Sequence, residues 1–219
     1  MRGIRDVDVN VDVLLLSVKP AQIQEVLTNL NRCGLSQKTL LISVAAGTNL
    51  SKIENLLKGK YPVVRAMPNS PCSVQEGFTA LCKGRFAKPK HIALAKKIFS
   101  SLGRCAEISE KHFDVVTALS GSGPAYFYYF MEAMIGVAIK NGLPTDQALE
   151  LVTQTVLGAA AVVRKSNRSL QELTLDVATP GGCTAEALKV LDSASVAKTF
   201  SKAIEAATSR ASILGRVQA

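Results

Sequence analysis

The sequence predicts an α/β domain followed by an all-α domain, and three observations lead there. Short, almost wholly apolar runs alternate with helix-patterned stretches through the first half, as in a mostly parallel sheet covered on both faces. Strand signals stop near residue 118, and long helical periodicity takes over. The second half is also so rich in Ala, Gly and Val that some of its helices are apolar nearly all round. The expected division is 1–118 for the α/β domain and 119–219 for the helical one, the second an ordinary domain size.

Taken in order, "VDVLLLSV" (11–18) reads as a strand, and Pro20 opens a helix to about Leu30. "TLLISVAA" (39–46) is a second strand, followed by a helix from Leu50; "PVVRAM" (62–67) and "GFTALCKG" (77–84) are further strands. Three strands end in "SVKP" (17–20), "VAAG" (44–47) and "MPNSP" (67–71), at the carboxyl ends where open α/β sheets bind ligands. Singly, Pro20, Gly47 and Pro68 read equally well as residues that end strands and start turns.

In the second half, Ser122 or Gly123 starts a helix with Pro124 in its first turn; Asn141-Gly142 closes it and Pro144 begins the next. The remaining helices are expected at about 144–166, 168–177, 183–192 and 194–216. The segments "MEAMIGVAI" and "TVLGAAAVV" need cover on every side, and a domain of roughly a hundred residues has too little interior to provide it. A second chain is the expected cover.

Composition narrows the partners. With 47% hydrophobic residues and no low-complexity tract, the chain of 219 residues belongs among ordered globular proteins. No apolar run is long enough to span a bilayer, so no membrane partner is expected. "VLLL" is too short for a signal-peptide core, and the expected compartment is the cytoplasm. The net charge of +9 comes from lysines and arginines spread along the chain with no interleaved aromatics. That pattern suits a basic surface or a phosphate-bearing small molecule, not nucleic acid. The five cysteines are odd in number, include no C-x-x-C pair, and share no ligand spacing with His91 and His112. Neither a disulfide framework nor a metal site is indicated.

The stretch "DVATPGGCTAEALKVLDSAS" (176–195) sets a proline and two glycines ahead of a helical pattern. Helix N-termini present unpaired N–H groups and a positive dipole end, and glycines allow close approach, so "TPGGCT" can seat a small anion such as a carboxylate. It reads equally as an N-capped loop between helices, with Pro180 as breaker and Thr179 or Thr184 as cap.

In this order and with these separations, "SVKP", "VAAG", "RAMPNSP", "SGSGPAY", "GLP" and "TPGGCT" resemble the pyrroline-5-carboxylate reductase family, from about Val11 to near the C-terminus. The resemblance implies an oxidoreductase using NADPH or NADH in the last step of proline biosynthesis. Its fold would be an incomplete Rossmann-like α/β domain followed by an all-α dimerisation domain, assembled as a homodimer or a higher homo-oligomer. It also implies that the Pro-Gly-Gly loop holds the carboxylate of pyrroline-5-carboxylate through Thr179, Gly181, Gly182 and Thr184. Thr184, the one residue given a catalytic role, would hydrogen-bond the ring nitrogen. Val18, Lys19 and Pro20 would lie along the cofactor, Ala45 and Ala46 against its ribose and nicotinamide, and Met67 and Asn69 near the nicotinamide. Lys19 reads equally as a solvated lysine at a strand end, and Asn69 as a turn residue.

Two positions depart from the family pattern. Thr179 stands where serine is usual but keeps a hydroxyl, and Cys183 stands where a small or hydroxyl residue is usual. No base near Cys183 in sequence would activate it, so it reads as a small packing residue. The family also opens with a strand, a "GxGxxA" turn and a helix, a unit of about 30 residues. No "GxG" occurs between Met1 and Ser17. Three readings follow: a truncated gene model or fragment of a true reductase, a splice or start-site variant, or a shortened relative that no longer binds cofactor and serves as a dimeric scaffold.

Overall fold

The structure, a computed structural model, describes residues 10–217. The chain divides into two compact units: the first ends at Pro124 and takes up the chain again from Ile204, and the second is Ala125–Ala203.

The first unit is built on a five-stranded sheet of β1 (Val13–Leu16), β2 (Leu40–Ser43), β3 (Val63–Met67), β4 (Gly77–Lys83) and β5 (Gly103–Glu107), in that spatial order. Three of the four pairings are parallel; β3 and β4 run antiparallel. Only residues 68–76 join that pair, and a parallel crossover needs a dozen residues or more. The strands are apolar because the sheet is covered on both faces. On one face Leu41 and Val63 pack with Ile23, Leu27 and Leu30 of α1 (Ile23–Leu30) and with Ile53 of α2 (Leu50–Leu56). The spacing Ile23, Leu27, Leu30 brings one helical stripe onto the sheet. On the other face Leu40, Ile42 and Val64 pack with Ile92, Ala95 and Phe99 of α3 (Pro89–Phe99).

Both α3 and β5 lie outside the elements expected from sequence. Only β4 flanks β5, whose residues are exposed or half-buried, so "GRCAE" carries no apolar run. A short helix α4 (Phe113–Val116) then leads into a π-helical turn at Thr117–Gly121.

Helix α5 (Gly123–Lys140) starts at Gly123 with Pro124 in its first turn, as expected. It ends in a left-handed Gly142 (φ 91°), with Leu143 N–H bonded to the Ala138 carbonyl and Gly142 N–H to that of Ile139. The helices of the second unit continue with α6 (Thr145–Lys165), α7 (Leu170–Val177) and α8 (Cys183–Ser193). α9 (Val196–Val217) begins in this unit and finishes in the first. Phe200 of α9 meets the rings of Tyr126 and Phe130 edge-on at 5.6 and 5.7 Å. Phe127, Tyr128, Tyr129 and Val137 on α5 are nonetheless more than half exposed. Among the described residues, no helix is long and apolar enough to cross a membrane.

Candidate active site

The register of the parallel strands gathers the first group of candidates. Leu16 pairs with Ser43, and Ser43 with Arg65, so Val18, Ala45 and Met67 each stand two residues past one line across the sheet. All three therefore lie on its carboxyl edge, together with their neighbours Lys19, Pro20, Ala46 and Asn69. Val18 rests on the core, Lys19 is exposed, and Pro20 opens a single 3-10 turn before α1. Ala45 is buried, Ala46 faces solvent, and Gly47 turns the chain with φ 71°, a left-handed conformation that favours glycine. Asn49 then caps α2, its Oδ1 accepting from Lys52 N–H at 2.8 Å.

The start of α2, just past the "VAAG" loop, is tied down by a half-buried ion pair. Glu110 Oε1 accepts from Leu50 N–H at 2.7 Å and from Arg65 Nη1 at 3.0 Å, and the Arg65 guanidinium stacks 4.5 Å above the Phe113 ring. These groups border an open cleft of about 400 Å³ that Gly47 and Asn49 also line. Arg65 comes from the middle of an apolar strand; a charged residue there signals a buried partner, although sequence does not say which.

Beyond β3, the Asn69 side chain is held at both atoms of its amide. Its Oδ1 accepts from Phe78 N–H at 2.8 Å, and its Nδ2 donates to the Ser120 carbonyl at 3.3 Å. Beside it, a Cβ on Gly121 would come within 2.9 Å of Met67 Cε. Ser120 and Gly121 belong to the "SGSGPAY" motif, whose residues carry no local sign of this contact. The π-helical turn that sets them against Met67 and Asn69 has no sequence signature.

This edge is small and largely apolar. Val18 and Met67 are half-buried there, Ala45 lies beneath the surface, and Gly47 turns the chain in a left-handed conformation. Two hydroxyls in these segments, Thr48 Oγ1 and Ser120 Oγ, are buried with no hydrogen-bond partner. Buried hydroxyls without a protein partner are uncommon, and a water or a ligand can complete them.

The second group lies in the second unit. The "TPGG" loop is a tight turn in which Gly182 N–H bonds the Thr179 carbonyl at 2.9 Å and Gly181 takes φ 72°. Helix α8 starts at Cys183, and its N-cap is Gly182, with no side-chain cap hydrogen bond. The capping expected of Thr179 or Thr184 therefore does not form: Thr184 lies inside the first turn, half-buried, and Thr179 lies three residues before the cap. The mouth of an eleven-residue helix is thus left to backbone N–H groups and the positive end of its dipole, an arrangement that suits a carboxylate. Cys183 is an exposed free thiol at the first helical position.

Comparison with known proteins follows the same lines. The family description "pyrroline-5-carboxylate reductase dimerisation" matches residues 110–214. The pyrroline-5-carboxylate reductase of Methanosarcina acetivorans is 38% identical over 205 residues, covering 94% of this chain and 76% of the relative. The solved structure of that enzyme from Coxiella burnetii superposes with a TM-score of 0.89 at 38% identity, covering 98% of this chain and 80% of the other. Plasmodium falciparum pyrroline carboxylate reductase, solved with NADP bound, gives 0.90 at 35% identity, covering 98% and 81%. With this identity sustained over nearly its whole length, the chain belongs to the pyrroline-5-carboxylate reductase family.

Proposed function

We propose that the chain reduces the cyclic imine 1-pyrroline-5-carboxylate to L-proline with NADPH, or with NADH, the last step of proline biosynthesis. The observation that carries this reading is the mouth of α8, where the turn at Gly181 and Gly182 leaves the start of the helix without a side-chain cap and the Thr184 hydroxyl lies in its first turn, in a chain of this family. In this account Thr179, Gly181 and Gly182 shape the loop around the substrate carboxylate, and the Thr184 hydroxyl hydrogen-bonds the ring nitrogen. The carboxyl edge of the sheet, with Val18, Lys19, Pro20, Ala45, Ala46, Met67 and Asn69, holds the nicotinamide half of the cofactor.

Held by these residues, a reduced nicotinamide would supply the hydride for the imine carbon. The ring nitrogen arrives protonated and takes up the electron pair of the C=N bond, so the protein need not deliver a proton. Its work is to hold the electrophile in place, and orientation alone contributes several kcal/mol to such a step, up to about 7–11. This explains a site without a general acid.

The reading assigns 1–118 to dinucleotide binding, and 119–219 to substrate binding and dimerisation. A homodimer is supported by the exposed aromatic and aliphatic side chains of α5, Tyr129 at 72% and Val137 at 63%, a density that isolated chains seldom leave in water. The cytoplasm, as a reducing compartment, suits five cysteines that are all free thiols. Steady-state oxidation of NADPH by the purified chain tests the proposal. Oxidation that depends on pyrroline-5-carboxylate and yields proline is expected, and its absence with both NADPH and NADH refutes the reading.

A further inference from the structure

Asn69 bonds the protein through both atoms of its side-chain amide. Phe78 N–H can only donate and the Ser120 carbonyl can only accept, so the two contacts fix which amide atom is which. They also join three segments: the end of β3, the start of β4 and the π-helical turn at Thr117–Gly121.

The contact to Ser120 has a cause in the sequence. The turn bonds in π-helical spacing, Ser122 N–H to the Thr117 carbonyl, and the α-helical partner of the Ser120 carbonyl would be residue 124, Pro124, which has no N–H. Asn69 Nδ2 supplies a donor to that carbonyl from 51 residues away. The consequence falls on Met67, because the turn held by Asn69 sets Gly121 where even a Cβ would come within 2.9 Å of Met67 Cε. Met67 therefore has one wall set by the turn, and Asn69 ties that turn to the end of β3 from outside, beside its internal bonds from Ser122 N–H to the Thr117 carbonyl and from Thr117 Oγ1 to that of Phe113.

We propose that Asn69 is a positioning residue: it clamps the "SGSG" turn to the end of β3 and so fixes the surface, centred on Met67, against which the nicotinamide is oriented. The proposal rests on the functional reading above, and it adds that Asn69 acts through Ser120 and Met67 instead of recognising the cofactor with its own amide. A clamp of this kind affects the rate of hydride transfer more than the affinity for the cofactor.

The test compares the wild-type chain with Asn69→Asp, which keeps an acceptor for Phe78 N–H but loses the donor to Ser120. Three quantities are measured: kcat and KM, the NADPH dissociation constant by fluorescence, and amide hydrogen exchange of Phe78 and residues 117–124. The expected result is a fall in kcat of about tenfold or more, from misplacement of the reacting atoms, with the NADPH dissociation constant within about threefold. Exchange is expected to rise across 117–124 and to stay near wild type at Phe78. Adding Pro124→Ala returns an N–H four residues after Ser120, and part of the lost kcat returns with it.

Loss of NADPH affinity in step with kcat would mean that the amide reads the cofactor directly, and it overturns the proposal. So does wild-type kcat in Asn69→Asp, or unchanged exchange across 117–124. Asn69→Ser, shorter and uncharged, repeats the comparison if the aspartate variant does not fold. A wild-type chain that binds NADPH but fails to turn over refutes the functional reading, and the exchange difference then decides the clamp on its own.

Discussion

Replacing Glu110 with Ala should loosen the first unit and the loop that leads into α2. The Arg65 side chain is 7% exposed and that of Glu110 32%, so the substitution leaves a buried guanidinium without its anion. Breaking a fully buried pair costs about 3–5 kcal/mol; with a third of Glu110 already open to water, about 2 kcal/mol is the better estimate. Leu50 N–H, bonded to Glu110 at 2.7 Å, also loses its acceptor, for about another 1 kcal/mol. A loss of about 3 kcal/mol lowers the melting temperature by roughly 6–12 °C in a chain of this size. Glu110→Gln keeps an acceptor for both donors and should lose about half as much. Calorimetry of the three proteins is the assay. A melting temperature for Glu110→Ala within about 1 °C of wild type would refute the reasoning, because the ion pair would then carry none of the stability assigned to it.

Other residues carry separate expectations. Gly182→Val places its Cβ 2.6 Å from Thr179 Oγ1 and a branched side chain at the mouth of α8, so the KM for pyrroline-5-carboxylate should rise at least tenfold; an unchanged KM argues against the anion seat. Gly181→Ala must adopt φ 72°, at a cost of about 1–2 kcal/mol that thermal melting should detect. Thr184→Ala should lower kcat/KM by tenfold or more, with the NADPH dissociation constant unchanged to within about twofold; parallel loss of both would reassign the residue. His91 titrates below its ordinary range because of burial, reinforced by Lys90 and Lys88, and its Nδ1 accepts from Lys88 N–H at 2.9 Å. The native state thus holds fewer protons there than the unfolded chain, so this contribution is present above the ordinary histidine range and fades as pH falls through the lowered pKa. NMR titration of His91 should find that lowered midpoint, and an ordinary or raised value contradicts the assignment.

The parts of the fold legible in sequence are those with a local cause. β2 is buried along its whole length and so appears as an unbroken apolar run. Gly142, Pro144 and Gly182 mark helix ends within a residue or two of where they fall. Elements with weaker local signals escape. α3 interleaves lysines with Ile92, Ala95 and Phe99, and β5 is too exposed to need an apolar run. The antiparallel turn of β4 depends on the length of a connection, not on the residues of the strand. At the candidate site, "MPNSP" announces Asn69, but its partners come from nine and 51 residues away. Arg65 similarly finds Glu110 across 45 residues, a pairing no local pattern encodes.

The central claim, that this chain moves a hydride onto a cyclic imine, is tested most directly with NADPH deuterated at the transferring position of C4. The purified chain is incubated with pyrroline-5-carboxylate, and the product is read by mass spectrometry. The account predicts L-proline carrying a single deuterium on the ring carbon that had been the imine carbon; unlabelled proline, or no proline while the substrate persists, would contradict it.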